Sequence, residues 1–376
     1  MTTVLAVLAA VCVLLVALTA LRGPGARVSV DFTAGGTSIL HLDRADPVKE
    51  PGQFDRIVRT GLDGDAPVTV YSGPRVQAFT TVGSKLAVAT LDDDGESSIG
   101  IADPADPGPI EALPLPVAGT VGRMSSRDPS AILVFTIIAA DQDVPVAVLY
   151  AVDLDGDDVP RPVLGLDGGP MAVSDWTVLP GGDRVAALTD LEVLLLADVA
   201  GTAPPVPFGR YTTLTGLSLD GTDLAVADVQ GTAAVAVAGG TARRLQSSAG
   251  LGEAPSVYGM QLLSGSPVGD DPAGLPRLEQ IAAYDPETDR YANSVVYDDG
   301  TLSRPLFEAT DDQTFILGFS VSPSGQDVAV TFVTDFDASV SDEYAVDPYP
   351  TSVRTAIIEV ATAQSIGEIA GFGVDW

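Results

Sequence analysis

One stretch constrains the fold of this chain more than any other. Phe319–Val330 reads FSVSPSGQDVAV: a short apolar strand, a tight Pro-Ser-Gly turn, and a second strand of Val and Ala. Two β-prone runs around such a turn make a hairpin. The same turn-plus-strand unit returns along the chain. It stands at Gly35-Gly36 before SILHL, at Gly83 before KLAVAT and at Asp128-Pro129 before AILVFTII. It stands again at Gly181-Gly182 before RVAAL, at Gly221 before DLAVA, near Gly265 ahead of EQIAAY, and at Gly325 before VAVTF. These intervals average about 48 residues, inside the ~40–50 range of radial β repeats.

A sheet of four short strands cannot bury both its faces alone, so such units pack face to face around an axis. The expected fold is therefore all-β: a seven-bladed β-propeller of four-stranded blades, preceded by one N-terminal hydrophobic helix. Blade two is expected over 75–116, blade three over 117–167, blade four over 168–209 and blade five over 210–250. Blade six follows over 251–310, with an insertion at 264–276, and blade seven over 311–370. The terminal GFGVDW (Gly371–Trp376) repeats the opening of blade seven, GFSVS, and is expected to complete blade one by strand exchange. The competing candidate for that inner strand is VSVDF, Val28–Phe32.

The units resemble the blade signature of the TolB-like and WD40-like β-propeller families, an apolar strand, Ser-Pro-Asp-Gly, then another apolar strand. Here it stands as SVSPSGQDVAV (Ser320–Val330), TVLPGGDRVAAL (Thr177–Leu188) and LSLDGTDLAV (Leu217–Val226). The resemblance extends over nearly everything after residue 27. It implies a fold and leaves the activity open.

Composition agrees with that class. Hydrophobic residues are 46% and charged residues 19% of 376, enough to bury a large core, and 39 Gly with 28 Pro suit many turns. The net charge of −32 repels phosphate backbones, so nucleic-acid binding is disfavoured, whereas a cation or a basic partner would be attracted. The single cysteine, Cys12, excludes an intramolecular disulfide and a cysteine zinc site.

Val4–Leu21 is an uncharged run of Val, Leu and Ala, just long enough to span a bilayer, with weak cleavage signals after it. Residues 1–27 are thus expected to be a membrane anchor or signal segment with a short linker, and 28–376 the propeller domain. The anchor reading places the propeller outside the cytoplasm. Secretion after cleavage, or a cytoplasm-facing propeller as Arg22 and Arg27 would favour, are the alternatives.

Candidate sites are few. The loop TDFDASVSDEYAVDPYPT (Thr334–Thr351) is long for a hairpin connection and carries Phe336, Tyr344 and Tyr349 among Asp335, Asp337, Asp342 and Glu343. Aromatics supply contact area and carboxylates select a basic partner, so this loop is the expected recognition surface, with an ordinary packed loop as the other reading. Asp153, Asp155 and Asp157 alternate around Gly156 and offer oxygen ligands to Ca2+, but the EF-hand order is absent and a tight Asp-Gly turn explains the run as well. No other cofactor is indicated. His41 is the single histidine, on a strand and opposite its apolar neighbours, and reads as an edge or surface residue. The functional expectation is a non-catalytic, membrane-tethered binding module for a protein or small ligand, not an enzyme. The alternative is a propeller hydrolase or lyase using channel carboxylates and a divalent cation.

Overall fold

The computed structural model describes residues 27–28 and the chain from 38 onward, apart from 46–52, 63–65, 93–94, 104–105, 128, 140–144, 246–255, 267–273, 286–289, 310–312, 337–338, 340 and 342–351. Among the described residues the secondary structure is all strand, with no α-helix. No helix among them is long and apolar enough to cross a membrane; Val4–Leu21 lies outside them.

The strands form antiparallel sheets that follow one another along the chain. Typical is Val76–Val82, Lys85–Leu91, Ser97–Asp103 and Asp106–Leu113, laid side by side in sequence order. Three further sheets have the same four-strand order, and begin with Thr213–Leu217, Ser256–Leu262 and Phe315–Val321. An eight-stranded sheet runs from Gly119–Ser125 to Val206–Arg210. Its halves are joined by a short contact, where Ala147 pairs with Val173 and Val148 with Ala172 and the Leu149 amide donates to the Met171 carbonyl.

The second strand of each sheet explains the recurrent apolar runs. Lys85–Leu91 and Arg184–Thr189 are buried on both faces, because each sheet is covered by a neighbour on either side. Such strands read as continuous rather than alternating apolar sequence. On these second strands the space between neighbouring sheets is narrow, and fully buried Ala87, Ala89, Ala186, Ala187 and Ala225 occupy it. The apolar clusters therefore lie between sheets. Val82, Ala87 and Ile99 meet Val121, Leu133 and Phe135 of the next sheet, and the succession returns to its start where Ile39 packs on Ala329 and Ile357.

The innermost strands share a further feature. Each pairs with its second strand through a register shift, for example between Val76 and Ala78, Leu214 and Gly216, and Ile316 and Gly318. A shift of this kind bends a strand and increases its twist.

Closure is made by the C-terminus. Phe372–Asp375 is the innermost strand of the first sheet, pairing Asp375 with Leu40 and Phe372 with Leu42. The alternative inner strand at Val28–Phe32 is corrected: Arg27–Val28 pairs with Ser72 and Tyr71 on the opposite, outer edge of that sheet. The physical reason lies in the connection. Gly371 has φ +99°, and a Cβ there would fall 2.1 Å from the Leu42 carbonyl oxygen, so only glycine lets the chain cross between sheets this closely. The Gly371 amide donates to the Val353 carbonyl, and the Thr355 hydroxyl donates to the Gly371 carbonyl at 2.8 Å. Arg44 stacks over the Phe372 ring, 4.9 Å from its centre.

One buried polar element stands apart from this apolar scheme. Arg277 is fully buried and donates through Nε to Glu279 and through Nη2 to Asp298, both at 2.8 Å, and through Nη1 to the Leu275 carbonyl. The triad anchors the exit of the 264–276 insertion to the second and third strands of its sheet.

Two expectations follow. Deleting residues 371–376 exposes the inner edge of the first sheet, and the melting temperature should fall by roughly ten degrees, the equivalent of a few kcal/mol at about 2–4 °C each. Melting at the full-length temperature would show that closure does not need this strand. Replacing Arg277 with Met removes the cation from between two buried carboxylates and should cost about 3–5 kcal/mol in chemical denaturation.

Candidate functional site

At the axis, where the innermost strands converge, lies a cavity of about 580 Å³. Its lining comes from the C-terminal ends of those strands and the turns beyond them: Thr80 and Thr81, Ser126 and Arg127, Leu219, Val321 and Pro323, and Val374 to Trp376. All therefore lie at one end of the axis, the end toward which every first strand runs.

Among the described residues, two charged side chains stand in this lining, Asp375 and Arg127. Asp375 is half-buried and is held by neutral donors. The Thr81 amide reaches Oδ2 at 2.8 Å and the Thr81 hydroxyl reaches it at 2.9 Å. Burial raises the pKa of its carboxyl above the usual value, and the Thr81 hydrogen bonds offset part of that rise. Burial likewise lowers the Arg127 guanidinium below its ordinary value. Beside them, Trp376 Nε1 donates to Ser320 Oγ at 3.1 Å, which fixes the indole at the edge of the cavity. A concave site with a few converging polar groups of perturbed pKa is the place to look first for binding or catalysis.

Sequence reasoning missed this site. Asp375 was legible only as part of a closing strand, and Arg127 had no motif around it. The signal that could have found Asp375 is its position: a carboxylate at the end of an innermost strand must face the axis or a neighbouring sheet.

The residues expected to bind lie elsewhere. Phe336 packs against Phe315 with the rings tilted by 42° and their centres 5.3 Å apart, both about half exposed, and its amide donates to the Gln313 carbonyl. Phe315 opens its strand and Val321 ends it at the cavity, so the loop emerges on the face opposite the cavity. Asp335 is half-buried at the start of that loop. Asp337, Asp342, Glu343, Tyr344 and Tyr349 fall outside the described residues.

Asp153, Asp155 and Asp157 sit on an outer hairpin. Asp153 Oδ1 accepts the Asp155 amide at 3.1 Å, Asp155 pairs with Lys85 at 3.2 Å, and Asp157 pairs with Arg161. Among the described residues no group of three or more His, Cys, Asp or Glu side chains is arranged to hold a metal ion.

His41 is not at an edge or on the surface. Its strand is the second of the first sheet, covered on both faces, and the imidazole is buried with Nε2 3.0 Å from Thr60 Oγ1. Burial lowers its pKa to about 4, so it is neutral at pH 7.

No protein-family model matches the chain, and no curated protein matches it either. Solved structures match in fold. The β-propeller domain of the trilobed protease from Pyrococcus furiosus is 10% identical with a TM-score of 0.53, over 91% of this chain and 98% of that one. The Pyrococcus horikoshii acylaminoacyl peptidase is also 10% identical with a TM-score of 0.53, over 92% of this chain; the chain spans about half of that enzyme, 52%. The tricorn protease matches 88% of this chain and 36% of its own at 13% identity, with a TM-score of 0.47. The chain has a β-propeller fold. The expectation of a non-catalytic binding module and non-enzyme is corrected here, since the propeller domain of a protease and a peptidase are the structures reported above with a TM-score over 0.5.

The buried histidine gives a pH test. Its folded pKa of about 4 lies below the unfolded value of 6.5, so between the two the unfolded chain binds more protons. Stability is full above about pH 6.5 and is lost as pH falls toward 4, by on the order of 3 kcal/mol from this residue. In urea titrations at pH 7 and pH 4.5, His41→Gln should lose less stability than wild type; an equal loss in both would refute the assignment.

Proposed function

We propose that this chain is a propeller hydrolase or lyase that works in the axial cavity, with Asp375 as its general acid and base. The observation that carries this is Asp375 itself: the only acidic residue among the described residues lining the cavity, with a raised pKa and two hydrogen bonds from Thr81 that fix its orientation. A carboxyl whose pKa is moved toward neutrality is suited to taking and returning a proton within one turnover.

In hydrolysis the Asp375 carboxylate takes a proton from water as the water oxygen bonds to the acyl carbon. The same proton then passes to the leaving nitrogen or oxygen as its bond to carbon breaks, and Asp375 ends ionised. In a lyase the proton comes from substrate carbon and goes to the group expelled. The peptidases among structures of like fold make amide or ester hydrolysis the first reaction to try.

The same proposal takes the ring as seven blades of TolB-like or WD40-like pattern. What supports this is the chain of interfacial clusters and the division of the eight-stranded sheet into two four-strand halves. It also takes Val4–Leu21 as the attachment to a membrane, with the propeller on the extracytoplasmic side.

A panel of fluorogenic peptide amides and esters tests the activity. Asp375→Asn keeps the shape of the side chain and an acceptor for Thr81, yet should lower turnover about 10²–10⁴-fold. The acid limb of the wild-type pH–rate profile should lie above the ordinary aspartate value of 3.8. An Asp375→Asn variant as active as wild type would place the chemistry elsewhere.

A further inference from the structure

We propose that the axial cavity recognises a substrate through its carboxylate, which Arg127 receives. The inference rests on the cavity being the working site, and it names the class of ligand that site takes.

The argument begins with the company Arg127 does not keep. The chain has 51 acidic and 19 basic residues, so a guanidinium has carboxylates to choose from. Arg123, four positions earlier, has taken one: it lies 2.8 Å from Asp175 and 4.4 Å above the Trp176 ring. Arg243 holds Asp223 and Arg244 holds Asp228. Arg127, half-buried and lining the cavity, makes no side-chain hydrogen bond or ion pair among the described residues. Taking a cation partly out of water without a counter-ion is costly, and the cost is recovered when an anion arrives.

Its backbone is held in place for that purpose. The Ser130 amide donates to the Arg127 carbonyl at 2.9 Å, and the Ser126 hydroxyl donates to the Ile132 carbonyl at 2.8 Å. The neighbouring turn presses on this one at Gly182, whose φ is +74° and where a Cβ would stand 2.2 Å from Ser130 Oγ. The guanidinium thus reaches the cavity from a fixed turn, and only the side chain has to be ordered when it binds.

Charge selects the ligand. Among the described residues of the lining, Arg127 is the only basic one and Asp375 the only acidic one, inside a protein of net charge −32. A single guanidinium balances a carboxylate and can grip it through two parallel hydrogen bonds. With Asp375 ionised in the same lining, a carboxylate adds one net negative charge and a phosphate dianion two, so the dianion is repelled more strongly. The cavity therefore favours a carboxylate, and phosphate becomes an outcome of the test.

The probes are N-acetylglycine, its neutral counterpart N-acetylglycinamide, and inorganic phosphate, each titrated into the full chain by calorimetry or NMR. N-acetylglycine should bind wild type and the Asp375→Asn variant, and N-acetylglycinamide at least tenfold more weakly. Arg127→Met should lose about tenfold or more in affinity for the acid, as expected for a charge-assisted pair, and Arg127→Lys should keep part of it. Each variant is first shown to melt cooperatively, and Arg127→Lys alone serves should the Met variant fail to fold. No binding to wild type, equal binding of acid and amide, or an Arg127 variant that binds the acid like wild type would each overturn the inference. Tighter binding of phosphate than of N-acetylglycine would overturn the carboxylate assignment. Because the titrations need no turnover, they stand or fall separately from the rate comparison at Asp375.

Discussion

The pairing of Phe372–Asp375 with Ser38–Asp43 is the constraint on which the rest depends. Sheets packed around an axis are stable only if the last meets the first, for otherwise two sheet faces and an inner edge remain open. Here a short strand from the far end of the chain supplies the missing inner position, so closure is topological as well as apolar. The strand is tied to three sheets: to the first by its backbone, to the second through Asp375 and Thr81, and to the last through Gly371 and Trp376. The β-propeller domain of the trilobed protease, by contrast, has an open velcro topology. The residue that fastens the ring to its second sheet is also, among the described residues, the one acidic side chain lining the cavity. Fold closure and site assembly are thus one event.

Charge is distributed with a comparable economy. Among the described residues only Asp55, Asp223, Glu279, Asp298 and Asp299 are buried carboxylates. Inside, ion pairs occur where backbone must be pinned. The Arg277 triad fixes the end of an insertion, and Arg243 joins Asp223 to the Gly265 carbonyl across adjacent sheets. These pairs hold loop ends in register with strands, work that an apolar side chain could not do for a carbonyl group.

Much of the fold was legible in the sequence because its signals are local and repeated. Turns such as Pro323-Ser324-Gly325 and two-sided apolar strands such as Asp327–Val333 recur at a regular interval, and the terminal strand announced itself by resembling the end of Phe315–Val321, GFSV. The site was not legible. It is assembled from the ends of strands far apart in sequence, with Thr81 and Asp375 separated by 294 positions, and no motif spans such a distance. The aromatic loop was conspicuous because of its composition, yet Phe336 packs on Phe315 at the other end of the axis. His41 misled for a related reason. Alternation predicts exposure only for strands with one wet face, and its strand has none.

The register shift in each innermost strand bears on how such a chain can change over time. Side chains alternate between faces along a strand, and one extra residue reverses the phase of everything beyond it. Gly216, Gly259 and Gly318 stand at these points of reversal. The two halves of an inner strand are therefore phased independently: the half before the shift serves the far end of the axis, and the half after it sets which side chains reach the cavity. A deletion at such a position would turn the lining outward in one step, and with it inner-strand side chains such as Val82, Met124 and Leu217 that pack between the sheets, while leaving the second and third strands in register. The lining of the cavity and the innermost layer of the cores are thus set together, by one residue in each inner strand.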